Sequence, residues 1–381
     1  MAALDPRLTA FPYRRQRLDG SASDALSAVE AALGVYSANP SGPLSILVRA
    51  PATTAAEVLA IERDGLVVRS RAMRTSAFVL PASSAPMVTV ATGQPLDRFA
   101  WMLRAAGVAP DAFEAARAAV VNAAGEPRTA RELRLAAALD GVDVARLVSY
   151  LALRGDLVTL GSSSVTSNEN RYVARVAWSA RRLSGPSSVE AGPAPTMDTA
   201  RAWLAGAYLR AFGPARVADL AWWAGIPPSP AAAALMTHET VDVGGGLLVL
   251  ARDLAAFETT SPLAGGVVLA PKWDAWTMGY PVDGRARFVD RDVHDRLFDG
   301  DGNGLGAVLF AGRAIGAWGL RGARGVMEAD LDLFDRPTER LREAIGARLG
   351  AIAAFLGYRE VRIRDVPTVI PSRRRVRRPL E

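Results

Sequence analysis

The chain alternates between helical and strand periods of hydrophobicity. Leu26, Val29 and Leu33 recur at helical spacing over 23–33, and Gly34 follows as a stop signal. An abrupt turn, G-V-Y-S-A-N-P, ends at Pro40. Thr54–Glu62 predicts a second helix, capped by Thr53 or Thr54. Leu66–Ser70 and Thr75–Leu80 predict two strands. Three helices are expected over Ser83–Thr92, Leu96–Gly107 and Pro110–Ala123. The helix–helix–strand–strand order then repeats. Thr129 and Glu132 form a capping box for Ala130–Leu139, Asp143–Arg154 follows, and strands Asp156–Leu160 and Tyr172–Val176 flank a polar loop. A third repeat comprises helices Asp198–Phe212, Pro214–Trp223 and Ser229–Met236, with strands Thr240–Val243 and Leu247–Leu250 around three glycines. Short strands follow at Val267–Leu269, Ala286–Val289, Gly306–Phe310, Arg313–Gly319 and Val326–Asp330. Pro337–Gly357 reads as a long amphipathic helix and Arg359–Val366 as a last strand.

This pattern predicts an α+β protein with three tandem winged-helix units and a small, β-rich, barrel-like C-terminal module carrying a packing helix. The expected divisions are 1–95 for the first unit, 96–182 for a helical linker and the second, and 183–258 for a linker and the third. The C-terminal module takes 259–366 and a basic tail 367–381. The Ser/Gly/Pro-rich stretch 183–195 is the clearest boundary.

Composition narrows the chemistry. Half of the 381 residues are hydrophobic, which excludes global disorder. Cysteine is absent, so disulfides, thiolate metal sites and cysteine nucleophiles are excluded. His238 and His294 are the only histidines, too few for a histidine-rich metal site. His238 reads as a residue at a helix C-terminus and His294 as a surface residue, and neither suggests a triad. No run of about 18 apolar residues and no basic-then-apolar leader occurs, so a soluble cytoplasmic protein is expected. D-G-D-G-N-G at 299–304 lacks the glutamate of a calcium loop and reads as a glycine turn.

The net charge is +6, and Lys272 is the single lysine among 45 basic residues. From Arg359 onward, eight arginines oppose three carboxylates, a net +5, which leaves +1 for the 358 residues before them. The body is therefore near neutral and the tail basic. Arg373, Arg374 and Arg375 are candidate phosphate contacts, or else a solubilising end. In the polar loop, Asn168, Asn170 and Arg171, followed by Arg181 and Arg182, are candidates for DNA contact, or else a solvated loop. Arg69, Arg71 and Arg74 suit gripping of backbone phosphates, with ion pairing to Glu57 or Glu62 as the alternative. Trp222, Trp223, Trp273, Trp276 and Trp318 read as packing residues. Asp274 reads as a partner of Lys272 or as a turn cap.

Five stretches carry a family resemblance. They are L-G-V-Y-S-A-N-P at Leu33–Pro40, V-V-R-S-R-A-M-R-T-S-A-F-V-L-P-A at Val67–Ala82, and Y-L-R-A-F-G-P-A-R-V-A-D-L-A-W-W-A-G-I at Tyr208–Ile226. The other two are L-A-P-K-W-D-A-W-T-M-G-Y at Leu269–Tyr280 and A-G-R-A-I-G-A-W at Ala311–Trp318. Together they resemble the bacterial winged-helix DNA-binding family that includes the AlkZ-like DNA glycosylases. The resemblance covers roughly residues 10–360. It implies a monofunctional glycosylase acting on alkylated or crosslinked purines in double-stranded DNA, in repair or genotoxin resistance. It implies no metal or organic cofactor and no membrane. The oligomeric state stays open, with a monomer favoured.

The family's Gln-x-Gln-type motif falls here on Tyr36 and Ala38, with Asn39 next to them, and Phe78 stands where a histidine is common. Alanine cannot hold a water, and a phenol lacks an amide's paired donor and acceptor. Tyr36 and Asn39 are therefore the catalytic candidates within a degenerate motif. Two other functions remain open at this point. One is a non-catalytic DNA-binding regulator or lesion sensor. The other is a small-molecule or protein-binding module on the same fold.

Overall fold

The computed structural model describes residues 4–183, 195–323 and 325–367. The fold is a mixed α+β arrangement built on several sheets. The N-terminal part runs α1 (Arg7–Arg15), α2 (Ala25–Ala31), β1 (Val35–Tyr36), α3 (Ser41–Arg49), α4 (Ala55–Arg63), β2 (Val67–Arg71), β3 (Ala77–Pro81) and α5 (Ala85–Thr92). Local chemistry sets several of these ends. Asp24 and Ser27 close a capping box on α2, and Thr54 and Glu57 close one on α4, each satisfying otherwise orphaned N–H groups.

The next segment runs α6 (Ala100–Ala105), α7 (Phe113–Ala123), β4 (Arg128–Thr129), α8 (Ala130–Ala137), α9 (Val144–Arg154), β5 (Leu157–Leu160), β6 (Arg171–Ala174) and α10 (Arg175–Leu183). The expected Thr129–Glu132 capping box is present on α8. The strand expected at Tyr172–Val176 ends at Ala174, and the chain passes straight into α10. The two parts share one six-stranded sheet in the order β1-β3-β2-β5-β6-β4. Their seam is narrow: β2 and β5 pair through Arg69 and Thr159 alone. Each side keeps its own core. Residues between Met102 and Ala174 form a cluster around Leu133, Leu147 and Leu151, apart from the larger core.

The chain then forms α11 (Met197–Phe212), α12 (Val217–Ala224), α13 (Pro228–Met236), the hairpin β7 (Thr240–Asp242) and β8 (Leu248–Leu250), and α14 (Leu254–Glu258). It continues through β9 (Val267–Ala270), α15 (Ala275–Met278), α16 (His294–Leu297), β10 (Gly306–Phe310), β11 (Arg313–Ala323), β12 (Val326–Leu333), α17 (Glu339–Leu356) and β13 (Glu360–Asp365). These last five strands make a sheet in the order β13-β12-β11-β10-β9, with β13 parallel to β12 and α17 packed against β9 and β13. The strand expected at Ala286–Val289 is absent. Residues 282–287 form a tight helical turn instead, because the buried Arg285 and Arg287 bond to the carbonyls of Tyr280 and Gly284. No helix among the described residues is long and apolar enough to cross a membrane.

Candidate nucleic-acid interface

The turn that follows β1 is fixed from three sides. Gly42 opens α3 so close to it that a Cβ there would lie 2.3 Å from the Tyr36 carbonyl oxygen, which only glycine allows. Asn39 is 8% exposed, and its amide does not point into open space. Its Nδ2 donates to the carbonyls of Ser164 (3.0 Å) and Ser167 (2.7 Å). Its backbone N–H donates to Asn168 Oδ1 at 2.7 Å, and Asn168 Nδ2 returns a bond to the Asn39 carbonyl at 2.8 Å. The two asparagines thus tie the turn to the polar loop between β5 and β6. Asn39 Oδ1 stays buried without a hydrogen-bond partner.

A second brace lies beside the first. Glu62 on α4 accepts from Arg69 Nε at 2.8 Å and from the Gly161 N–H at 2.6 Å, while Arg69 Nη1 donates to the Ser37 carbonyl at 2.7 Å. Both side chains of this ion pair are about nine-tenths buried, at 10% and 13% exposure. Arg69 therefore holds the turn, the first hairpin and the second segment together. Arg71 is exposed, and among the described residues its side chain bonds only to the nearby Thr75 carbonyl. The expected alternative of an arginine paired with Glu62 holds for Arg69; Arg71 makes no ion pair among the described residues.

Arg74 takes a third course. It sits at the tip of the β2–β3 hairpin with φ +51°, in the left-handed region that non-glycine residues rarely adopt. Its Nη2 donates to Tyr36 Oη at 2.8 Å, and its guanidinium lies 4.1 Å from the centre of the Trp222 ring. Tyr36 packs on Phe78 (4.4 Å between centroids) and stacks more loosely on Trp273 (6.3 Å).

A cleft of about 1450 Å³ opens next to the turn. Ser37, Arg69, Arg71, Asn170, Tyr172 and Trp178 are among its lining residues. Tyr36 and Asn39 instead line a separate, water-sized cavity with Glu62 and Arg69. Of the turn's candidates, the group facing the large cleft is thus Ser37, between the two positions singled out by the sequence. Asn168 is exposed on the polar loop, and Arg171 is exposed at the start of β6. Arg181 and Arg182 fall in α10, and nothing is described of their side chains. Arg373, Arg374 and Arg375 lie outside the described residues.

Behind the turn, Asp274 and Arg49 form an ion pair whose side chains are both 0% exposed, at 2.8 Å. Asp274 also accepts from Ser45 Oγ (2.7 Å) and caps α15 through the Trp276 N–H (2.8 Å). Burial alone raises its pKa, but Arg49, Ser45 and that N–H outweigh burial and hold it below the usual carboxylate value. The expected cap is therefore present, but the charge partner is Arg49 and not Lys272. Asp299 organises the glycine turn, accepting from the Asp301 and Asn303 N–H groups. Among the described residues, no group of three or more metal-ligating side chains converges.

The family DNA glycosylase AlkZ-like matches this sequence across residues 26–355, most of the chain and all of the turn, hairpin, cleft and buried pair just described. The chain belongs to the AlkZ-like DNA glycosylase family. Its structure superposes on the Streptomyces sahachiroi DNA glycosylase AlkZ with a TM-score of 0.71 at 19% identity, covering 96% of this chain and 100% of that one. At that identity the likeness speaks for a common fold. Sequence comparison with curated proteins gives no match. In this AlkZ-like protein, Ser37 lines the cleft and Trp222 and Lys272 pack beside the turn, positions that sequence reasoning did not assign to the site. Glu62 was visible only as an ion-pair partner, and Lys272 only as the solitary lysine among 44 arginines.

Proposed function

We propose that the protein binds double-stranded DNA and hydrolyses the N-glycosidic bond of an alkylated purine. The observation that carries this reading is the family match over the segment holding the turn, the hairpin and the cleft. In this reading the helix–helix–hairpin units act as winged helices, with hairpins on phosphate and helices toward the groove. An N7-alkylated purine departs as a cation-derived leaving group and needs little general-acid help. The protein's task is then to place a water at C1′ and to stabilise the sugar cation. Ser37 faces that water from the cleft wall, and Tyr36 and Asn39 back it from the adjoining small cavity. Arg71 and Arg74 hold the flanking backbone, and Arg69 keeps the turn in place. The apolar area of the cleft, contributed by residues such as Leu26, Met87, Val90 and Trp178, suits a bulky adduct without deep extrusion of the base.

The test is base release from a duplex carrying N7-alkylguanine, with DNA binding followed at two salt concentrations. Release above the spontaneous rate is expected, and Arg71→Gln with Arg74→Gln should weaken binding and flatten its salt dependence. Unchanged affinity in that double variant overturns the assignment of these arginines. One observation favours a second reading, a lesion reader without catalysis: the Asn39 amide donors are already consumed by Ser164 and Ser167, and Ala38 offers no polar group. Salt-dependent binding with no release establishes that reading instead.

A further inference from the structure

Three cations and four aromatic rings form a row that passes through the turn at Tyr36. Lys272 Nζ lies 4.4 Å from the centre of the Trp273 ring, and Trp273 stacks on Tyr36. Tyr36 accepts from Arg74, and Arg74 lies over one part of Trp222. Arg285 lies 5.6 Å from the same Trp222 ring and 3.7 Å from Phe298. The members come from β1, the β2–β3 tip, α12, the stretch before α15, the 282–287 turn and the segment after α16. Tertiary structure alone brings them together.

Among the described residues, no carboxylate forms an ion pair with Lys272, Arg74 or Arg285. Two other strongly buried arginines do have such partners, Arg49 with Asp274 and Arg69 with Glu62, whereas Arg287, at 4% exposure, donates to the Gly284 and Pro214 carbonyls. Arg285 is 1% exposed, and its guanidinium bonds to the Tyr280 carbonyl, the Gly302 carbonyl and His294 Nε2, none of them a carboxylate. Burial, with the nearby charge of Arg74, pushes its pKa down to about 10. Withdrawing like charges from water without an anion is unfavourable, and cation–π contact offsets only part of that cost.

The backbone is also strained here. Arg74 (φ +51°), Thr75 (φ +58°) and Trp273 (φ +61°) all occupy the left-handed region. Such strain persists where surrounding structure enforces it, and it concentrates at functional sites. Gly225 at the end of α12 lets that helix pack directly on the Arg74 backbone. A Cβ on Gly225 would lie 2.9 Å from the Arg74 backbone nitrogen.

We infer that this row is a phosphate-binding site that takes a backbone phosphodiester of DNA, with Lys272 and Arg74 as the direct donors and Arg285 as a fixed charge behind Trp222. This rests on the DNA-binding part of the proposed function and not on catalysis. Lys272 is half-buried, carries no hydrogen bond to the protein among the described residues, and ends in three donors able to point outward. Its lysine character fits a point-charge contact. A planar guanidinium in its place would also stack on Trp273.

The experiment uses the full chain and a defined undamaged duplex, with affinity measured over a salt series. Lys272→Gln should lower the slope of log affinity against log salt by about 0.9, one phosphate contact, without changing sequence preference. Lys272→Arg should restore most of it. Arg285→Gln should weaken binding further, provided its circular dichroism matches wild type; Lys272→Gln, at a half-buried site, does not depend on that proviso. Unchanged slope and affinity in folded Lys272→Gln overturns the inference. So does a tryptophan fluorescence response to millimolar inorganic phosphate that is lost in Lys272→Gln while the DNA slope is unchanged, because that assigns the row to a free small anion. DNA binding through Lys272 without base release leaves this inference standing and overturns the glycosylase reading alone.

Discussion

Asp274→Asn isolates the bolt between the turn and the C-terminal part of the site. Asp274 follows Trp273 directly, while Arg49 and Ser45 lie on α3, which starts two residues after Asn39. The substitution keeps the size of the side chain and an oxygen able to cap α15. It removes the charge that Arg49 faces with both side chains fully buried. Leaving one partner of such a pair uncompensated costs roughly 3–5 kcal/mol. Unfolding entropy of about 2.1 cal/mol/K per residue, over a chain this long, turns 4 kcal/mol into a loss of about 5 °C in Tm for cooperative unfolding. Arg49→Met should also destabilise, because Asp274 is then a buried carboxyl without its cation. The double variant Arg49→Met with Asp274→Asn should cost at least about 2 kcal/mol less than the sum of the two. The pH dependence has a definite sign. The folded pKa of Asp274 lies below its unfolded value of about 3.9. Its contribution is therefore fully present above that value and is lost as pH falls through the folded pKa. The stability gap between wild type and Asp274→Asn should narrow below about pH 4. Thermal denaturation by circular dichroism from pH 3 to 8 reads all of this. Additivity of the two substitutions within about 0.5 kcal/mol, or a gap that widens in acid, would refute the reasoning.

Three further outcomes are expected. Asn168→Ala removes both reciprocal bonds to the Asn39 backbone and should destabilise by about 1–3 kcal/mol, with limited proteolysis shifting to the 161–170 loop; an unchanged cleavage pattern would contradict the brace. Gly225→Ala places a side chain at φ +72° against Arg74 and should cost roughly 1–2 kcal/mol in denaturant titration while also weakening DNA binding. Glu62→Ala frees Arg69 and the Gly161 N–H together and should cost about 1–3 kcal/mol, whereas Glu62→Gln, which keeps an acceptor, should cost less. Equal losses for these two Glu62 variants would mean that charge alone holds the seam.

Elements governed by their own few residues were legible in the sequence. The Thr54 and Thr129 caps, the helix ending at Gly155 and the hairpin around Gly244–Gly246 all appear where their residue types place them. α1 and α3 escaped because Pro12 lies inside the first, and Gly42 and Pro43 open the second, so their breaker residues mask helices that tertiary contacts stabilise. The 286–289 strand failed for a related reason. Alternating Arg285 and Arg287 look like the outward face of a strand, yet both turn inward to cap carbonyls. The turn at Tyr36–Pro40 was visible as a motif. Its orientation was not, because Asn168, Ser164 and Ser167, more than 120 residues away, decide where Asn39 points.

The packing of α5 on α11 has a topological consequence. α5 ends at Thr92 and α11 begins at Met197, so the chain leaves the main body and returns to it at neighbouring places. Everything between is an insertion with its own core, held by a clasp that closes regardless of the length inside it. Excision of that insertion would take only Val165 from the buried residues of the main core. It would also strip β2 of its neighbour and turn Val67–Arg71 into a bare sheet edge, open to pairing with another chain. The inserted segment is thus the edge guard of the strand that carries Arg69 and Arg71.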